Sequence, residues 1–184
     1  IGMTNIRFKD IRQYNDLQAR NQYNLALRES KAKADEYLRY QQELGRDNSR
    51  TPMQWNSSAN AGFTTGKPWL PVNENYTSLN VELQETDSSS VLHYIRRMTG
   101  LRKTYKDVLV YGTYTPVDAD NPDVFAYIRE GGGKKILVLL NFRDHDAKVN
   151  PGVEYNKAQK LIGNYMSDAA PGVLRPYEAA LFLL

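Results

Sequence analysis

Between residues 16 and 44 the apolar positions fall at mixed three- and four-residue spacings among charges. They are Leu17, Ala19, Tyr23, Leu25, Ala26, Leu27, Ala34, Tyr37, Leu38 and Leu44. Spacings of this kind mark a helix, which is therefore predicted over 16–44, with Gly45 placed to stop it. The polar run from Arg28 to Glu36 weakens the pattern, and a break into two helices fits there. Residues 46–86 show no period and read as one long loop. A further helix is predicted from about Ser88 to Lys106, with Asp87 or Ser88 as its cap. Val91, Ile95, Met98, Leu101 and Tyr105 form its apolar stripe. Arg96, Arg97, Arg102 and Lys103 take the other side, where those near the helix end complement its dipole.

The character changes at Val108. Short runs at 108–115, 123–129, 135–142, 146–150, 158–164 and 178–184 read as strands, with turn residues such as Asn121-Pro122-Asp123 and Pro171-Gly172 between them. Glu130-Gly131-Gly132-Gly133 reads as a hairpin turn. Closely spaced short strands with turn signals predict an antiparallel sandwich. A domain boundary is expected near Asp107, giving units 1–107 and 108–184 and an α+β chain. Tyr111, Tyr114, Phe125 and Tyr127 stand at near-alternate positions, as on half-buried strands. A carbohydrate-binding face there is the less favoured reading.

Composition narrows the class. The 184 residues are 41% hydrophobic and 24% charged, values ordinary for a globular protein. The net charge of +3 is spread rather than clustered, which speaks against a nucleic-acid partner. There are no cysteines, so disulfides, thiol catalysis and thiolate metal sites are excluded. That fits a reducing compartment, and a cytoplasmic location is the expectation. No apolar run reaches the roughly 18 residues of a membrane span, so no membrane partner is expected. No signal peptide is visible. The chain opens on Ile1 rather than Met.

The long loop concentrates the chemistry. Arg46-Asp47-Asn48-Ser49-Arg50-Thr51-Pro52-Met53-Gln54-Trp55 is too polar for a core strand, and Pro52 bars a helix interior. A second aromatic stretch follows, Asn60-Ala61-Gly62-Phe63-Thr64-Thr65-Gly66-Lys67-Pro68-Trp69. Long loops without regular structure are usually functional or disordered. Trp55, Phe63 and Trp69 give this one apolar surface to bury, so order is expected. Packing beneath the loop is the favoured role of those three rings. Guanidinium and amide donors held among aromatic faces suit a hydroxyl-rich ligand such as a sugar. Asp47 and Asn48 are expected to organise the loop through local side-chain-to-backbone hydrogen bonds.

These residues also carry a resemblance. RDNSRTPMQW, followed by NAGFTTGKPWLPVNENY, closely resembles the long loop after the eighth barrel strand in α-glucosidases and oligo-1,6-glucosidases of glycoside hydrolase family 13. The resemblance runs from end to end of the chain. It implies the last loop and helix of a (β/α)₈ barrel followed by an antiparallel β-sandwich. It also implies that the chain corresponds to only the C-terminal third of such an enzyme.

Retaining glycoside hydrolysis needs two carboxyl groups about 5–5.5 Å apart. The resemblance places the nucleophilic Asp, the acid/base Glu and an Asn-His-Asp motif upstream of Ile1. No Asn-His-Asp occurs here, and His93 and His145 read as surface or structural residues. No catalytic residue is therefore assigned, and neither a cofactor nor a metal is expected. The resemblance puts Arg46 at the terminal glucose, paired with an aspartate from an early barrel loop. Arg50 is a second substrate-binding candidate, or a support for the loop. The expected partners are an α-linked gluco-oligosaccharide and the missing N-terminal barrel. The expected activity of the whole enzyme is hydrolysis of α-1,4 or α-1,6 glucosidic bonds, with this chain alone inactive. The competing expectation is a non-catalytic module whose sandwich binds carbohydrate or a protein partner.

Overall fold

The computed structural model describes residues 1–167 and 169–184. They form two compact units, Ile1–His93 and Tyr94–Leu184.

In the first unit the predicted helix is broken into α1 (Leu17–Glu29) and α2 (Lys31–Leu44). Ser30 makes the break. Its extended backbone ends α1, while its side chain accepts from Lys33 N and caps α2. Asp16 caps α1 by accepting from Gln18 N and Ala19 N. Gly45 ends α2 where the chain leaves at close quarters, since a Cβ there would lie 2.4 Å from the Gln41 carbonyl oxygen. A small core of Phe8, Tyr14 and Leu70, flanked by Ile6, Ile11 and Leu38, anchors the loop to the helical hairpin.

Residues 46–86 are mostly irregular, with short 3-10 turns at Arg46–Arg50, Ala59–Gly62 and Glu74–Thr77. One helix inside it was not expected, α3 (Val81–Thr86). Asn80 caps it, accepting from Leu83 N at 2.9 Å and donating to the Tyr76 carbonyl at 2.8 Å. The loop is ordered, but not by its large rings. Trp55, Phe63 and Trp69 are 49%, 42% and 58% exposed, so the expectation that they pack beneath it is corrected. Backbone bonds from Trp55 N and Asn56 N to the Ala61 carbonyl close the turn, and buried Ala61, Pro52, Gln54 and Leu70 fill its interior.

The next helix, α4, spans Val91–Thr104, later than expected, and α5 covers Lys106–Leu109. Ser90 supplies the cap, its Oγ accepting from His93 N at 3.4 Å. Asp87 instead accepts from Ser89 in the preceding turn. The predicted stripe divides: Met98, Leu101 and Tyr105 pack on the second unit's core, joined by Tyr94. Val91 and Ile95 stay exposed.

Among the described residues seven strands follow, all antiparallel in their pairing. They are β1 (Thr113–Val117), β2 (Val124–Gly131), β3 (Lys134–Asn141), β4 (Ala147–Lys148), β5 (Gln159–Gly163), β6 (Val173–Leu174) and β7 (Ala179–Leu183). One sheet runs β1-β2-β3-β7-β5, and β4 pairs with β6 in a second. Gly132 and Gly133, both at positive φ, form the two-residue turn between β2 and β3.

The central strand β3 is covered on both faces. Leu137 and Leu139 pack toward β4 and β6 with Val124, Ala126, Ala147 and Leu174. Ile136 and Val138 pack toward α4 and α5 with Val108 and Leu181. Two-sided burial explains why the β3 sequence is a continuous apolar run rather than an alternating one. Val108-Leu109 was expected to open the first strand. It completes a helical turn instead, which buries Val108.

Candidate functional site

The predicted site residues lie at the mouth of the helical hairpin, where the 3-10 turn Arg46–Arg50 leaves α2. Arg46 reaches back to the start of α1. Its Nε donates to Asp16 Oδ2 at 2.7 Å and its Nη2 to Asp16 Oδ1 at 2.8 Å, a bidentate pair. The same Nη2 donates to Gln18 Oε1 at 3.1 Å. The Asp16 side chain is only 6% exposed, whereas that of Arg46 is 57% exposed. The guanidinium is thus fixed at one edge and open to a ligand at the other.

Asp47 is the buried centre of the turn, at 1% exposure. Its Oδ2 accepts from Asn15 N at 2.7 Å and Asp16 N at 3.0 Å. Its Oδ1 accepts from Arg50 Nη1 at 3.3 Å. The bonds from Asn15 and Asp16 are long-range, where local side-chain-to-backbone bonds are expected from the sequence. They tie the loop to residues about thirty positions earlier and hold Asp16 in place to meet Arg46. Asn48 closes the other side, its Nδ2 donating to the Gln41 and Gln42 carbonyls at 3.2 and 3.1 Å. Arg50 lies against Asp47, with Asp16 Oδ2 3.8 Å away.

Asp16 and Gln18 were not singled out from the sequence. Asp16 carries the ordinary helix-start signal of an acid before an apolar residue, which shows its capping role but not its long-range partner. Its Arg46 bonds, with the backbone donors of Ala19 and Gln18, outweigh desolvation and hold its carboxyl below the usual range. The nearby Tyr14 phenol moves the other way, pushed up to about 12 by burial and the Asp47 carboxylate. Tyr14 therefore stays neutral at physiological pH.

The sign for Asp16 follows from its lowered folded pKa. The pairing stabilises the folded chain above the unfolded value of about 3.9 and is lost as pH falls through the folded value. Between about pH 5 and pH 3 the melting temperature of the native chain should fall more steeply than that of Asp16→Asn. Parallel curves from calorimetry across that range would count against the pairing.

Asp16, Gln18, Gln22, Tyr37, Tyr40 and Arg46 line a cleft of about 510 Å³ between α1 and α2. Neither His93 nor His145 is among the residues lining it. His93 Nε2 sits 3.1 Å from the Glu85 carbonyl, and His145 Nδ1 sits 3.1 Å from Asp144 Oδ1.

A loop built around a buried acid, presenting a half-open guanidinium at a cleft, can now be set beside known proteins. The family described as "Alpha amylase, catalytic domain" matches residues 1–112, more than half of the chain. The chain belongs to the alpha-amylase family. Residues 114–180 match the "Maltogenic Amylase, C-terminal domain". An oligo-1,6-glucosidase of Parageobacillus thermoglucosidasius is 39% identical over 188 residues, covering 99% of this chain and 33% of the relative. A trehalose-6-phosphate hydrolase of Bacillus subtilis is 38% identical over 192 residues, covering 100% and 34%. Among solved structures, the trehalose-6-phosphate hydrolase of Bacillus licheniformis superposes with a TM-score of 0.88 at 32% identity, over 99% of this chain and 34% of that one. A trehalulose synthase crystallised with Tris gives 0.88 at 36%, over 100% and 34%. This alpha-amylase family chain therefore spans about a third of the length of the relatives it matches. Among its described residues no helix is long and apolar enough to cross a membrane.

Proposed function

We propose that this chain is the C-terminal part of a retaining α-glucosidase that hydrolyses α-1,4 or α-1,6 glucosidic bonds of short oligosaccharides. The observation that carries the reading is the Arg46–Asp16 pair, a guanidinium oriented by a buried carboxylate and half open at a cleft. Such a fork donates several hydrogen bonds in fixed directions, which suits the hydroxyls of a terminal sugar. Arg50 serves as a second substrate-side residue or steadies Asp47. Asp47 and Asn48 hold the loop.

In this reading residues 1–107 close the catalytic barrel and 108–184 form the appended sandwich. The two family matches, which meet between residues 112 and 114, support that division. The reacting carboxylates come from the preceding barrel. Leu17, Leu44 and Trp69, exposed at 71%, 69% and 58%, support a large apolar partner of that kind for the first unit.

The test compares two polypeptides. The purified 184-residue chain should release no p-nitrophenol from p-nitrophenyl α-glucoside above a mock preparation, because no nucleophile is present to form the glycosyl intermediate. The polypeptide extended to the length of the relatives should hydrolyse it and yield the α-anomer first, read by proton NMR. Hydrolysis by the short chain, or none by the extended one, would overturn the proposal. The second outcome would favour a non-catalytic binding module.

A further inference from the structure

The second unit carries a groove of about 540 Å³ between α4 and the face of the five-stranded sheet. Ile95, Thr99 and Arg102 line it from the helix, at four- and three-residue spacings that put them on one stripe. Val138, Leu140 and Leu181 give it an apolar floor. A row of three rings lines it from β1 and β2. Tyr127 stands in the middle, its centroid 5.2 Å from that of Tyr114 and 5.4 Å from that of Phe125. Tyr114, Phe125 and Ile95 are 47%, 48% and 55% exposed. Apolar surface shared in this way between a helix and a sheet marks a place of contact.

A sugar suits this groove poorly. The outer rings are tilted by 40° and 51° to the middle one, so the row is not a flat platform. The floor has nothing to offer hydroxyls, which would lose their hydrogen bonds there. Arg129 is already engaged, donating to the Val108 carbonyl at 3.4 Å and the Val110 carbonyl at 3.2 Å. Arg102 differs. It is exposed and has no ion-pair or hydrogen-bond partner among the described residues. The groove therefore calls for an apolar surface that brings one acidic group to its rim. It is lined by side chains rather than by a strand edge, which suits a helix better than an added strand. A helix lying beside α4 at the usual separation of about 8–10 Å would cover the rings.

The origin of that helix follows from where the groove's parts belong. Helix α4 falls within the match to an alpha amylase catalytic domain, whereas β2 and β3 fall within the match to the C-terminal domain. About two-thirds of the relatives' length lies outside the part this chain matches. We propose that the groove seats a helix of the polypeptide preceding this chain, with its apolar stripe on the Tyr114–Tyr127–Phe125 row and an acidic side chain on Arg102. The second unit is then a fixed support of the catalytic body rather than a tethered sugar-binding module, a role that rests on the reading above of a longer enzyme.

The test uses the extended enzyme with its upstream cysteines replaced by serine, since the present chain contributes none. Phe125→Cys and Tyr114→Cys report on the two ends of the row, and Lys157→Cys, which lies outside the groove and is exposed, is the reference. In the folded enzyme a maleimide should modify both groove cysteines at least about ten-fold more slowly than the reference, at every protein concentration. In urea the three rates should converge. Arg102→Glu should lower the melting temperature by about 2–4 °C more than Lys103→Glu, its neighbour outside the groove. Groove cysteines that react as fast as the reference overturn the docking. So does protection lost on dilution, which would mean a second copy, or protection that appears only with added maltotetraose, which would mean a sugar platform. Equal melting temperatures for the two charge reversals overturn the Arg102 pairing. Hydrolysis of p-nitrophenyl α-glucoside is read on the same preparations. An active enzyme with a freely labelled groove overturns the docking and leaves the glucosidase reading standing, and an inactive one with a protected groove does the reverse.

Discussion

Replacing Arg46 by alanine in the extended enzyme should lower kcat/KM on maltose and isomaltose by ten- to a hundred-fold. Hydrogen bonds to a charged donor contribute about 1.5–3 kcal/mol each, and a loss of that size in the transition state gives a fall of this order. Arg46→Lys should recover little. An ammonium can meet one oxygen of Asp16, but it cannot keep that contact and present a second edge to a sugar. Arg46→Ala also leaves the Asp16 carboxylate, 6% exposed, with Arg50 at 3.8 Å in place of its bidentate partner, so a thermal melt must accompany the kinetics. A folded Arg46→Ala enzyme with native kcat/KM would reduce this residue to a loop salt bridge.

The second large effect concerns stability. Asp47→Ala removes the acceptor for Asn15 N and Asp16 N and the partner of Arg50. An abandoned buried donor costs about 1–3 kcal/mol. With Asn15 partly reached by water, the sum should be about 2–4 kcal/mol. Asp47→Asn keeps an oxygen of the same reach and should cost less. Urea unfolding followed by tryptophan fluorescence reads the right region, because both tryptophans, Trp55 and Trp69, lie in the first unit. A midpoint for Asp47→Ala matching the native chain would show that the carboxylate does not hold the turn.

Patterning resolved long elements and lost short or doubly determined ones. The α1–α2 hairpin and the strands β2, β3 and β7 stand out because their apolar positions serve packing and little else. The two-residue strand β6 gives too few positions for a period, and of the strand expected over 146–150 only Ala147–Lys148 forms, as β4. Helix α3 has six residues and is set largely by the Asn80 cap, so no amphipathic stripe announces it. Val108-Leu109 is apolar in either conformation, and burial of Val108 under the sheet decided for helix. At the site, Arg46 and Asp47 were legible because their motif is unusual. Asp16 was not, since its partner lies thirty residues away and only the folded hairpin brings them together. The exposed rings of the loop show a further limit. Aromatic residues signal surface to be covered, but not which part of a protein covers it.

The strand order also bears on how the protein is made. β7 lies between β3 and β5 and is the only described bridge joining them. While residues 179–183 remain inside the ribosome, β3 presents a bare apolar edge and β5 has no neighbour to pair with. The second unit therefore completes this sheet only after residues 179–183 have emerged, later than the helical hairpin. Until then β3 is the segment most in need of a chaperone, because unpaired apolar edges recruit other chains.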